Sequence, residues 1–126
     1  MNNFVKGYAD DAAMDIVLDD VLLIKPGLNV LPLPCTYTPE EGEVAFVIPR
    51  GSTASKGILT MMVAIDPGYK GTINVFAYNT DDHQHVFAAG ERAFSIVNLK
   101  QGFQRAIPKI AKEGARGDNW KGSSGK

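Results

Sequence analysis

Glycine and proline interrupt this chain too often for long helices: thirteen glycines and seven prolines are spread through 126 residues. Glycine pays a high entropic cost inside a helix, and proline removes a backbone donor and clashes with the preceding turn. The fold must therefore be assembled from short pieces, and the residues between interruptions choose strands. Residues 43–48, Glu-Val-Ala-Phe-Val-Ile, are apolar and β-branched, and Pro49 ends them. Residues 58–65 are apolar on both faces except at Thr60, the pattern of a strand buried on both sides. Residues 72–79 and 92–99 are two further β-rich runs. Between them Asp66-Pro67-Gly68-Tyr69-Lys70-Gly71 reads as a tight turn, because proline presets φ and glycine supplies positive φ. Residues 81–85 read as a second turn. Strands spaced by such signals predict an all-β sandwich or barrel. Helix is a weak option at 8–18, and at 101–113, where Pro108 interrupts it.

Charge divides the chain unevenly. Residues 1–104 carry seven Lys/Arg against twelve Asp/Glu, a net of −5, whereas 105–126 carry six against two, a net of +4. After Glu113 only Trp120 is large and apolar, so the stretch cannot bury itself. A body at 1–114 and a flexible glycine-rich arm at 115–126 follow. A basic arm on an acidic body points to an anionic ligand, but the arm is too poor in aromatics to argue for nucleic acid. No apolar run is long enough for a bilayer and no secretory leader opens the sequence, so no membrane partner is expected. The single cysteine, Cys35, excludes an intramolecular disulfide and has no basic neighbour to make it a nucleophile. A reducing, cytoplasmic setting is expected.

Several clusters have chemical potential. Arg50-Gly51-Ser52-Thr53 follows a strand, and Arg116, Lys121 and the Gly/Ser end of the arm form another group of small, hydroxylic and basic residues suited to phosphate. The ordinary readings are a turn and a loose tail. Five aspartates between residues 10 and 20 could help hold Mg²⁺, although solvated carboxylates are commoner. Asp66, at a strand end, is a turn former or a general base. His83 and His85 share a face if their segment is extended, which permits a metal pair, but two surface imidazoles in an Asp-rich turn are far commoner.

The order of these clusters resembles the trimeric dUTPase family, from about Asp11 to Gly125. Ala12-Ala13-Met14-Asp15-Ile16 resembles its first motif. Pro26-Gly27, residues 44–49 and Arg50-Gly51-Ser52 resemble the strands entering the second. Ala64-Ile65-Asp66-Pro67-Gly68-Tyr69-Lys70-Gly71 resembles the third and is the most specific match. Gly90-Glu91-Arg92-Ala93-Phe94 resembles the fourth, with Ser95 in place of its usual glutamine. Arg116-Gly117 with Gly122-Ser123-Ser124-Gly125 resembles the glycine-rich fifth.

The resemblance implies a jelly roll assembled as a homotrimer with a mobile C-terminal arm, hydrolysing dUTP to dUMP and pyrophosphate with Mg²⁺, in the host cytoplasm for a viral member. Asp66 would hold the water that attacks the α-phosphorus. Tyr69 would pack on the deoxyribose and leave no room for a 2′-hydroxyl. Arg50, Gly51 and Ser52 would lie along the phosphates, and Arg116, Ser123 and Ser124 would close over them. Trp120, in the Asn119-Trp120-Lys121 that replaces the family's Gly-Gly-Phe, is the aromatic nearest the uracil-stacking position. Asp15 would face Mg²⁺ through water. The alternative is a non-catalytic dUTPase-like module that binds a nucleotide or a protein. The related dCTP deaminases need a glutamate on the strand after the third motif, and 72–79 has none.

Overall fold

The computed structural model describes residues 3–102 and 109–112. The expected arm, with Arg116, Trp120, Ser123 and Ser124, lies outside the described residues, as does most of 101–113. Within them the strands are β1 (Phe4–Val5), β2 (Ala13–Ile16), β3 (Leu22–Ile24), β4 (Gly27–Thr36), β5 (Glu43–Pro49), β6 (Ile58–Thr60), β7 (Thr72–Asn79), β8 (His85–Phe87) and β9 (Phe94–Lys100). One helical turn, α1 (Gly51–Ala54), lies between β5 and β6. The all-β jelly roll expected from the sequence is the fold. No helix among the described residues is long and apolar enough to cross a membrane.

Every strand pairing is antiparallel. One sheet runs β1-β2-β9-β5, a second β4-β7-β6, and a small third joins β3 to β8. Alternation sets the faces: Ile73, Val75, Ala77 and Asn79 of β7 point inward, and Asn74, Phe76 and Tyr78 outward. The inward side chains meet Ile16, Ile24, Leu33, Ile58, Ile65, Phe94 and Ile96 in one core. Full burial of each such aliphatic or aromatic side chain contributes about 1.5–3 kcal/mol, which is what holds so short a set of strands together.

β4 runs for ten residues despite Pro32 and Pro34. It is an edge strand, and its register to β7 shifts between Pro32 and Thr36, so the missing proline donors fall where the ladder is already interrupted.

Two expectations are corrected. Residues 58–65 are not one strand buried on both sides: β6 stops at Thr60, and Leu59, Met61 and Met62 are exposed. The chain is crossing between sheets. The amide of Met61 still donates to Phe76 on β7 (2.8 Å), Val63 then turns back on Met61 (3.1 Å), and Ile65 pairs with Ala45 on β5 through two hydrogen bonds of 2.9 and 3.1 Å. The helical option at 8–18 is also overturned. The Asp11 carboxylate accepts from the Tyr8 amide (2.9 Å) and closes a turn, after which β2 pairs with β9.

Candidate functional site

The Ile65–Ala45 pairing fixes where the 66–71 turn leaves the sheet. Ile65 is fully buried, and Asp66 follows it half-buried at the surface. The Tyr69 amide donates to the Asp66 carbonyl at 3.2 Å, and Gly68 takes φ of +84°, the left-handed conformation that such a turn requires. Tyr69 is only 3 % exposed. Its hydroxyl donates to the Thr72 carbonyl (2.8 Å), and its own carbonyl accepts from the Thr38 hydroxyl (2.6 Å). A Cβ on Gly71 would run into the tyrosine ring, 2.7 Å from Cζ. Residue 71 must therefore be glycine for the ring to lie where it does.

Asp66 lies on the wall of a cavity of about 400 Å³, whose other walls include Val44, Phe46, Ala64, Leu99, Lys100 and Gln101. Such a volume is within the range of small-ligand sites, and its apolar side strengthens any polar contact made inside it. A carboxylate at this wall can orient a water molecule and take its proton.

A second group forms on the outer face of the first sheet. Strand pairing sets Asp15 of β2 opposite Ser95 of β9, and the serine hydroxyl donates to Asp15 Oδ1 at 2.6 Å. The other carboxylate oxygen, Oδ2, meets Arg50 Nε at 3.2 Å and an Arg92 guanidinium nitrogen at 3.4 Å. Arg50 also donates to the Arg92 carbonyl (3.0 Å). The buried Thr53 hydroxyl, bonded to the Ala93 carbonyl at 2.7 Å, holds α1 against the approach to β9. Gly51 and Ser52 are exposed on α1 beside Arg50. Two guanidiniums on one carboxylate leave a local excess of one positive charge. Both arginine side chains are about a third exposed, so part of each donor fork faces outward. This arrangement attracts anions, phosphate oxygens above all.

The same geometry tests Asp15 as a Mg²⁺ residue. Both carboxylate oxygens are engaged, and the surrounding charge is positive, which is poor for a directly bound cation. The donor set fits a contact through water to an ion that arrives already bound by phosphates.

The structure thus joins Asp15 to Arg50, and separately Asp66 to Tyr69, but it does not join the two groups within one chain. Asp66 adjoins Ala45 near the start of β5, and Arg50 follows its end. Five or six extended residues separate them, roughly 17–20 Å. Arg92 and Ser95 are the residues to which sequence reasoning gave no role. Arg92 stood inside a matched motif without a role, and the pairing of Ser95 with Asp15 depends on a register between distant segments.

Cys35 is buried, and burial pushes its thiol up to about 12, so it is an inert core residue as expected. His83 and His85 do not share a strand face: His83 lies in the turn and His85 opens β8.

The comparisons with known proteins agree with this architecture. The family model described as dUTPase matches residues 2–125. A deoxyuridine 5′-triphosphate nucleotidohydrolase of Leifsonia xyli is 32 % identical over 98 residues, covering 74 % of this chain and 64 % of that protein. The Pol polyprotein of caprine arthritis encephalitis virus is 25 % identical over 92 % of this chain, which spans 11 % of the polyprotein. The chain is therefore shorter than either of these relatives. The solved structure of native EIAV dUTPase superposes with a TM-score of 0.74 at 18 % identity, covering 90 % of this chain and 96 % of that one. With residues 2–125 matched by the family model, the chain belongs to the dUTPase family.

Proposed function

We propose that this chain is a dUTP diphosphatase, releasing dUMP and pyrophosphate. The observation that carries the reading is the Asp66 carboxylate on a part-apolar cavity wall, at the head of a turn whose Tyr69 and Gly71 are locked together. A water oxygen attacks the α-phosphorus, the bond to the α–β bridging oxygen breaks, and pyrophosphate leaves; Asp66 orients the water and takes its proton. The buried Tyr69 ring braces the turn beside which the deoxyribose would rest, and the rigidity of that turn would reject an added 2′-hydroxyl by shape. Arg50 and Arg92, with Gly51 and Ser52 beside them, receive the phosphate oxygens. Mg²⁺ bound to the triphosphate would arrive with the substrate and supply neutralisation of the phosphate charge. Asp15 keeps the two guanidiniums aligned and meets that complex through water. The arm 115–126 closes over the phosphates through Arg116, Ser123 and Ser124, with Trp120 near the base.

Because Asp66 and Arg50 lie at opposite ends of β5, a complete site takes them from different chains. A homotrimer provides this. The outer face of the β4-β7-β6 sheet supports the assembly: Leu28, Tyr78 and Leu59 stand in one register row, and Val30 and Met61 flank Phe76 in the next. Of these six side chains all but Phe76 are exposed, more apolar surface than a small soluble sheet normally leaves to water.

Pyrophosphate release measured with dUTP, dCTP, dTTP and UTP tests the activity, and Asp66→Asn should lower turnover of dUTP by at least about 100-fold while nucleotide binding persists. Near wild-type turnover in that variant would overturn the assignment.

A further inference from the structure

The turn between β7 and β8 lies at the opposite end of β7 from Tyr69 and takes no part in the site above. It carries three side chains that converge. Asp81 Oδ2 lies 3.1 Å from His85 Nε2 and 3.3 Å from His83 Nε2. The ligand atoms of the three residues all fall within 4.8 Å of one another, and the imidazole rings are 5.0 Å apart, centroid to centroid.

We infer that Asp81, His83 and His85 form a binding site for a borderline divalent transition-metal ion of the Zn²⁺ class. Ligands bound at about 2.0–2.1 Å in a tetrahedral shell lie about 3.3 Å from one another, so the Asp81–His85 and Asp81–His83 spacings are already those of two edges of such a shell. The outer shell is present as well. His83 Nδ1 lies 3.1 Å from Asp82 Oδ1, the carboxylate–histidine pairing that turns Nε2 toward a metal. This ring is flanked by a carboxylate oxygen at each nitrogen, and a neutral imidazole has only one N–H to offer. A cation between Nε2 and Asp81 Oδ2, 3.3 Å apart, would satisfy both.

The backbone beneath the three ligands is held in place. Asn79, buried at the end of β7, accepts from the Asp81 amide (2.9 Å) and donates to the carbonyls of His83 (3.0 Å) and Ile24 (3.1 Å). Ile24 is the strand partner of His85 across the β3–β8 pair. A bound ion would therefore fasten the turn to that small sheet. The exposed side of His83 leaves the remaining coordination positions to water. Two imidazoles with one carboxylate favour Zn²⁺, Co²⁺ or Ni²⁺ over Mg²⁺, which prefers oxygen ligands and retains its waters.

The chain has two histidines in all and its one cysteine is buried, so imidazole-dependent binding has a single place to occur. The test is Zn²⁺ titration of the full untagged chain by calorimetry, with the histidine ring resonances followed by NMR. One Zn²⁺ per chain should bind and perturb both rings, and the thermal midpoint should rise with Zn²⁺ but not with Mg²⁺. His83→Ala, at an exposed position, and Asp81→Asn should each weaken binding tenfold or more. If the His83→Ala and His85→Ala variants bind Zn²⁺ as tightly as the wild type, or if Zn²⁺ leaves the ring resonances unmoved, the site does not exist.

Discussion

Replacing Asp15 by alanine probes the charged cluster directly, and the structure fixes the size of the effect. The Ser95 hydroxyl, in a residue 4 % exposed, would lose the carboxylate oxygen that it meets at 2.6 Å. Leaving a buried hydroxyl without its acceptor costs about 1–3 kcal/mol. The two guanidinium contacts are more exposed and each contributes about 0.2–1 kcal/mol, after which Arg50 and Arg92 repel one another across the gap. Asp15→Ala should therefore destabilise the fold by about 1.4–5 kcal/mol. In a Ser95→Ala background the hydroxyl is already gone, so the same change should cost about 1–3 kcal/mol less. Urea unfolding of the four proteins gives this coupling, provided that the chain concentration is held fixed because the proposed assembly would contribute to stability. Additivity of the two substitutions within about 0.3 kcal/mol would refute the cluster as described.

Three further outcomes are expected. Gly71→Ala should displace the Tyr69 ring, narrow the preference for dUTP over UTP in a pyrophosphate-release assay, and destabilise the chain by about 1–3 kcal/mol, the usual penalty of forced overpacking. Tyr78→Glu, which places a charge in the middle of the exposed apolar rows, should shift the mass found by light scattering from three chains towards one; an unchanged trimer would move the interface elsewhere. Cys35 should resist iodoacetamide at pH 9 in the native protein and react readily in denaturant, because burial raises its thiol from 9.0 to about 12. The sign for stability follows from the same shift. Below pH 9 the thiol is neutral in both states and has no effect; between pH 9 and about 12 only the unfolded chain ionises, so folding weakens as pH rises.

The strands that could be read directly are those whose period and punctuation agree. Residues 43–48 ended by Pro49 became β5, and 72–79 became β7, because each buries one alternating face of a sheet. The 66–71 turn was equally plain from its proline and glycines. Residues 58–65 misled because apolar side chains there serve two purposes that look alike in sequence: Ile58 and Ile65 fill the core, whereas Leu59 and Met61 face outward. β4 was hidden by its prolines, which only an edge position makes tolerable. At the site, Asp66, Arg50 and the aspartates around Asp15 stand out by their own chemistry, and the resemblance gives each a role and adds Tyr69. The partnership of Asp15 with Arg92 and Ser95 is a matter of register across eighty positions, which no local pattern encodes.

The distance along β5 has a genetic consequence. In the shared site proposed above, a chain with Asp66→Asn would still carry a working arginine cluster, and a chain with Arg50→Ala a working water-holding turn. Each variant alone would then be inactive, since every site would lack one half. Mixed in equal amounts and allowed to reassemble at random into cyclic trimers, they should regain about a quarter of the wild-type sites, those that draw Asp66 from one mutant and Arg50 from the other. Two dead alleles would then complement one another in the same cell.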